Sequence, residues 1–382
     1  MYTIVQKCLP VLNRCVYKCL LNQKYKLTPH IRSVSNQKKA IDYTKMAQKP
    51  LILVHEEETE QLVPNKHVYE NDFELITFQS VMAGNGKPED IKGVLMNFAF
   101  GKDPQFQELL RKMTSLKVVT SLGVGTDSFE NLMDYFREKS IVVALNTGEK
   151  YMCKAVADYA IGLFLSCCRR INVAAEFGKS AKAAMESEVF AFKYTLPPVT
   201  SHFTGATIGV IGLGRIGMDI AKRAHCGFDM KVLYYGRNRK SEEVEKQYNA
   251  RYYDNLLEML PLCDFVAVSC ASTPETKSLI GEKEFNAMKR TAVLVNIARG
   301  AIVDTEAMTK ALQEKKIAGV GLDVTEPEPL PVDHPLKSMD NVILTPHTAW
   351  TIKEIPMEFR ESYFENFRDV IIHGRKPRAV KE

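Results

Sequence analysis

The chain has 382 residues, 45% of them hydrophobic and 25% charged, which suits an ordinary soluble protein of about two domains. No apolar run reaches the roughly 18 residues of a spanning helix, so no membrane role is expected. The net charge of +5 comes from one end: residues 1–41 hold eight Lys and Arg and no acid, and the remainder has 43 basic against 46 acidic residues. A nucleic-acid partner would need basic residues clustered on the folded part, so none is expected.

The N-terminal stretch, roughly residues 1–45, intersperses its cations with Ile4, Val5, Leu9, Val11, Leu12, Val16, Leu20 and Leu21. An acid-free amphipathic leader of this kind points to mitochondrial import. Its excess of Lys over Arg and its Pro10 fit a disordered basic tail instead, and Met46 offers a second start that would give a cytoplasmic form. The nine cysteines include no Cys-x-x-Cys pair. Cys153, Cys167, Cys168, Cys226, Cys263 and Cys270 sit in apolar contexts and read as free buried thiols in a reducing compartment, and no metal site is expected.

From Pro50 onward, short β-rich runs alternate with amphipathic ones. Strands are predicted at 51–54, 74–78, 93–97, 117–120 and 141–144, with helices at 105–114 and 128–139 between them. A long helix is predicted over 154–179, followed by the Pro/Thr-rich passage 195–200. A second alternating series then has strands at 207–211, 231–235, 264–269, 292–297, 319–324 and 342–345, before a terminal helix at 353–373. This is the pattern of βαβ units, hence an α/β protein of two lobes with parallel sheets.

Gly212-Leu-Gly-Arg-Ile-Gly217 directly follows the strand-like run 206–211 and opens a predicted helix, Arg215 to His225. In that context Gly212 makes the tight turn, Gly214 lets the backbone approach a pyrophosphate, and Gly217 lets helix and strand pack closely. Arg215 and Ile216 complete the turn. About 20 residues on, where an NAD site usually places an acid for the ribose 2′-hydroxyl, the chain has Gly236 followed by Arg237, Asn238, Arg239 and Lys240. Guanidinium groups clamp a 2′-phosphate, so NADPH is expected over NADH.

Four residues stand at or just beyond later strands. Arg299 follows Val293-Leu-Val-Asn-Ile-Ala298, and Asp323 ends Gly319-Val-Gly-Leu-Asp323. Glu328 lies in the Pro-rich loop 326–331, and His347 follows Ile343-Leu-Thr-Pro346. A guanidinium can hold a substrate carboxylate, and a carboxylate-backed histidine can give a proton to a carbonyl oxygen. Spacing alone does not rank Asp323 against Glu328 as the partner of the histidine.

The motifs Gly209-Val-Ile-Gly-Leu-Gly-Arg-Ile-Gly217, Asn296-Ile-Ala-Arg-Gly300, Gly321-Leu-Asp-Val-Thr-Glu-Pro-Glu-Pro329 and Thr345-Pro-His-Thr-Ala-Trp350 resemble those of the D-isomer-specific 2-hydroxyacid dehydrogenases. The resemblance covers about residues 50–380. Within that family, Leu233-Tyr-Tyr-Gly-Arg237 and the run 322–331 are most similar to glyoxylate/hydroxypyruvate reductases. The resemblance implies NAD(P)-dependent reduction of small 2-oxo acids, with Arg299, Glu328 and His347 catalytic and Asp323 in support. It implies two Rossmann-like lobes, with a coenzyme lobe at 156–347 inserted into a substrate lobe made of 50–155 and 348–382.

The same resemblance places Ala298 and Asp323 beside the cofactor, and Asn97, Phe98, Gly123 and Val124 in loops facing the substrate. It also implies a homodimer. Three departures bear on the substrate: Leu145-Asn-Thr-Gly-Glu149 lacks a family proline, loop 180–201 lacks the frequent tryptophan, and Trp350 follows His347 instead. Trp350 therefore reads as a wall of the substrate pocket or as a core residue. The competing readings are a nucleotide-sensing, corepressor-like interaction protein and an NAD-dependent phosphoglycerate-type dehydrogenase. The leader weighs against the first, and Gly236 against the second.

Overall fold

The computed structural model describes residues 49–56, 58, 62–96, 100–101, 103–121, 130–146, 151–179 and 202–380. The predicted leader, loop 180–201 and the expected substrate residues Asn97, Phe98, Gly123 and Val124 lie outside them. The chain divides into two compact units, Met1–Thr147 with Phe359–Glu382, and Gly148–Glu358. The sequence reading instead divides the lobes at 155/156 and 347/348.

The smaller unit is built on five parallel strands, β1 (Leu51–Val54), β2 (Glu74–Thr77), β3 (Ile91–Met96), β4 (Val118–Ser121) and β5 (Val142–Ala144), in the order β2-β1-β3-β4-β5. Apart from β2, the strands are almost wholly buried and mostly apolar, with Thr120 and Ser121 as buried polar residues of β4, as suits a parallel sheet covered on both faces. One face packs Phe78, Phe100 and Phe106, the last two stacked 4.3 Å apart, beneath helix α1 (Pro104–Lys112). The other face packs Tyr69 and Phe73 against Phe364 and Phe367 of the C-terminal helix. Phe78, expected to end β2, instead opens a short helix, because the Thr77 hydroxyl caps the Ser80 amide.

The larger unit has seven parallel strands in the order β12-β11-β10-β9-β6-β7-β8. They are β6 (Thr207–Ile211), β7 (Lys231–Tyr235), β8 (Ala250–Tyr253), β9 (Phe265–Val268), β10 (Val293–Asn296), β11 (Gly319–Leu322) and β12 (Val342–Leu344). β8 is absent from the sequence reading: it is a short edge strand whose Arg251 and two tyrosines give no apolar run. The connections reverse between β6 and β9, so the carboxyl ends of those two strands flank the crevice where such sheets bind ligands.

Two expectations change on this side. The helix predicted over 154–179 is two helices, α2 (Met152–Arg169) and Ile171–Lys179, because Arg170 takes a left-handed conformation (φ 50°) that closes α2. Cys226, expected to be buried, is exposed, since helix α3 (Arg215–Phe228) turns Ile220, Ala221 and Ala224 inward and Cys226 outward. Cys153, Cys167, Cys168 and Cys263 are buried thiols outside any disulfide, Cys270 is only half-buried, and burial pushes Cys167 and Cys263 up to about 12. No described helix is long and apolar enough to cross a membrane.

The first turn of α2 is capped from a distance. The buried carboxylate of Glu358 accepts the backbone N–H of Tyr151 (3.1 Å) and of Met152 (3.1 Å), which no helical carbonyl can satisfy. Glu358→Ala should cost about 1–3 kcal/mol of stability by leaving those amides unpaired. Urea unfolding measures it, and a loss below about 0.5 kcal/mol would show that solvent replaces the cap.

Candidate active site

The cofactor turn is assembled at the strand reversal. Gly212 has φ 94°, and a Cβ there would lie 2.6 Å from the backbone of Cys270 just beyond β9, so only glycine fits. The Gly212 amide donates to the Tyr235 carbonyl (2.8 Å) and its carbonyl accepts the Ser269 hydroxyl (2.8 Å), which pins the turn from β7 and β9. A Cβ on Gly217 would strike the Gly212 carbonyl, so the first turn of α3 can sit on the loop only without a side chain.

Gly214, by contrast, is exposed with no atom within 4 Å of where its Cβ would be. It caps the 14-residue α3 in extended conformation, next to exposed Arg215 and half-buried Ile216. A helix start with open space before it fits a dinucleotide pyrophosphate. At the end of β7, Arg237, Asn238 and Arg239 are all exposed, and no acid occupies the ribose position.

The next strand ends carry the polar side chains. Asn296, 1% exposed at the end of β10, accepts the Ala298 amide (3.0 Å) and donates to the Arg299 carbonyl (2.9 Å). This buried amide fixes the turn presenting Arg299, whose guanidinium also donates to the Ala298 carbonyl at 2.8 Å. A Cβ on the following Gly300 would collide with the Thr325 backbone, so the Arg299 turn and the Glu328 loop lie directly against each other.

Asp323, 2% exposed beyond β11, spends both oxygens on the loop after β12. It accepts the Thr345 hydroxyl (2.6 Å) and the amides of Thr348 (2.9 Å) and Ala349 (2.9 Å), while its carbonyl accepts the His347 amide (2.8 Å). His347 itself has φ 53°, a conformation that this set of bonds holds in place. The Trp350 indole donates to the His347 carbonyl (3.0 Å), so this half-buried ring belongs to the histidine loop and not to the core.

The structure separates the two acids that spacing leaves unranked. His347 Nδ1 lies 2.7 Å from Glu328 Oε1, both side chains partly exposed, whereas Asp323 holds the loop backbone. Burial raises the Glu328 carboxyl, but the hydrogen bond and charge of His347, the Thr325 amide and the charge of Arg299 outweigh it. Glu328 therefore sits below its ordinary 4.5 and is ionised near neutrality. Arg299, Glu328 and His347 thus come together on one edge of the sheet. No group of three or more potential metal ligands exists among the described residues.

Sequence reasoning missed Asn296 and Thr345 as site-forming residues, although a polar residue closing an apolar strand was a signal for the first. A signal for Thr345 did not exist, because the partner of its hydroxyl is 22 residues away.

Residues 161–349 match the model of the D-isomer-specific 2-hydroxyacid dehydrogenase NAD-binding domain. A glyoxylate reductase from Pyrococcus horikoshii is 41% identical over 241 residues, 63% of this chain and 69% of that protein. A glyoxylate/hydroxypyruvate reductase B from Pectobacterium carotovorum is 38% identical over 243 residues, 63% of this chain and 71% of that one. The chain belongs to the D-isomer-specific 2-hydroxyacid dehydrogenase family.

Among solved structures, the NADPH-dependent glyoxylate/hydroxypyruvate reductase of Sinorhizobium meliloti aligns with TM-score 0.72 at 27% identity, covering 86% of this chain and 96% of that one. Apo D-mandelate dehydrogenase from Rhodotorula graminis aligns with TM-score 0.75 at 26% identity, covering 88% and 98%. The protein is thus a 2-hydroxyacid dehydrogenase of two Rossmann-like domains that uses a nicotinamide cofactor, and it is similar to the glyoxylate reductases.

In this dehydrogenase, Gly212→Ala should impose the left-handed strain of about 1–2 kcal/mol plus a backbone clash. A thermal melt should fall by several degrees and cofactor titration should weaken in parallel. An unchanged melt with full cofactor affinity would mean that the turn relaxes freely.

Proposed function

We propose that the enzyme is an NADPH-dependent reductase of small 2-oxo acids, with glyoxylate and hydroxypyruvate as its leading substrates. The 2.7 Å contact between His347 and ionised Glu328, beside Arg299, carries this reading. Bound NADPH supplies the hydride for the carbonyl carbon. The chain supplies the rest.

The Arg299 guanidinium holds the substrate carboxylate and polarises the adjacent carbonyl. Glu328 accepts the Nδ1–H of His347, leaving Nε2–H to protonate the carbonyl oxygen. Asp323 and Asn296 are positioning residues: one fixes the loop that carries His347, the other the turn that carries Arg299. The glycine turn and the start of α3 would hold the pyrophosphate, and Arg237 the 2′-phosphate. Because the Glu328 carboxyl lies below 4.5, its hold on Nδ1 is complete above that pH and is lost as the pH falls beneath it. Titration of Glu328 therefore contributes no change in activity near neutrality.

His347→Gln should lower kcat about 10²- to 10⁴-fold while NADPH affinity, followed by its fluorescence, stays within about 3-fold. Unchanged turnover would remove the proton-donor role. NADPH oxidation should be fastest with glyoxylate or hydroxypyruvate and slower with pyruvate. Turnover of none of the three would leave the nucleotide-sensing reading in its place.

A further inference from the structure

The basic turn after β7 holds two arginines that sequence treats alike, and the structure treats them differently. Arg239 forms a two-point fork with Glu245 of helix α4 (Glu242–Tyr248), Nε to Oε1 at 2.9 Å and Nη2 to Oε2 at 2.8 Å. Its side chain is 64% exposed, but that of Glu245 is only 12% exposed. The same Oε1 accepts the Tyr234 hydroxyl at 2.6 Å, and that hydroxyl accepts the Lys240 amide at 2.8 Å. Tyr234 is fully buried within β7, so the far end of the turn is tied through it to the sheet.

The near end is tied as well. Tyr252 of β8, the neighbouring strand, donates its hydroxyl to the Gly236 carbonyl at 3.1 Å. Between the two ties stand Arg237 and Asn238, both exposed at the tip. The charge of Arg237 reaches the turn after β9, where Glu275 is held below its ordinary value first by a hydrogen bond from Thr273 and in part by that charge. That turn follows the strand whose end meets the Gly212 loop, whereas Arg239 is drawn back onto α4 by its fork with Glu245.

We propose that Arg239 and Glu245 are a positioning pair for cofactor selection: their fork, with Tyr234 and Tyr252, preforms the 236–240 turn so that Arg237, and not Arg239, receives the 2′-phosphate. The proposal rests on the NADPH reading above. A turn already tied at both ends loses little conformational freedom when it meets its ligand, so the selectivity of one guanidinium is not diluted by ordering the loop. The pair also neutralises Glu245, whose bare carboxylate would repel a phosphate close by.

Equilibrium dissociation constants for NADPH and NADH, read by nicotinamide fluorescence on the full-length protein, test this without any turnover. Arg237→Ala should weaken NADPH about 10- to 100-fold and leave NADH within about 3-fold. Arg239→Gln uncovers Glu245 and should weaken NADPH several-fold. In the double variant Arg239→Gln with Glu245→Gln, the uncovered charge is gone, the two introduced amides can bond each other in place of the fork, and the amide oxygen at position 245 still accepts the Tyr234 hydroxyl, so the tie persists and NADPH affinity should return to within about 3-fold of wild type.

A double variant as weak as Arg239→Gln alone would make Arg239 itself the phosphate ligand and overturn the proposal. So would an Arg239→Gln variant that binds NADPH like wild type, or an Arg237→Ala variant that keeps full NADPH affinity. Wild-type protein that binds NADH as tightly as NADPH would sink the cofactor reading and this assignment together, whereas the other outcomes leave the NADPH preference standing.

Discussion

A carboxylate 2% exposed at the end of an apolar strand is tolerable only if its oxygens are satisfied, and Asp323 satisfies them with a hydroxyl and two amides of a single loop. That requirement organises the site. It forces residues 345–349 to fold back over the end of β11, supports the left-handed backbone of His347, and leaves the imidazole facing Glu328. Asn296 works in the same way one strand over, a buried amide that shapes the turn carrying Arg299. Each side chain proposed to be catalytic is therefore set by a buried polar neighbour. The exposed pair His347–Glu328 would contribute little as a surface ion pair in its own right; its value lies in orientation.

Much of this was legible in the sequence, for reasons that differ by element. Strands buried on both faces of a parallel sheet are unbroken apolar runs, so β6, β7 and β10 stand out, and the glycine spacing after β6 carries its own steric logic. β8 was illegible because an edge strand needs no such run. The break at Arg170 was illegible because a left-handed arginine has no local sequence mark, unlike the glycine that usually fills that place. The roles of Asp323 and Glu328 could not be separated by spacing, since what separates them is which backbone amides each one meets. Arg237 and Arg239 pose the same difficulty at the cofactor turn: only the partner on α4 distinguishes them.

Each sheet has one point at which the direction of its connections reverses. In the larger one the connections reverse at β6 and β9, and the close approach of Gly212 to Cys270 spans that point. In the smaller one the reversal falls between β1 and β3. In the larger sheet the loops beyond the strand ends and the N-terminus of the helix that follows β6 can then offer amides and side chains without breaking the sheet's own hydrogen bonds.

The smaller unit is discontinuous in sequence, and this governs the order in which the chain can acquire structure. Arg368 bonds Asp72 across 296 positions, Phe364 stacks on Tyr69, and the Leu145 amide donates to the Ala379 carbonyl. None of these contacts can form until the residues of the terminal helix have emerged from the ribosome, by which time every strand of the larger unit has been made. During synthesis, then, β1 to β5 wait with one face of their sheet uncovered, a long-range closure of the kind that slows folding and exposes apolar surface to association. The aromatic residues of the last helix serve as the closing layer of a core whose other half was translated first.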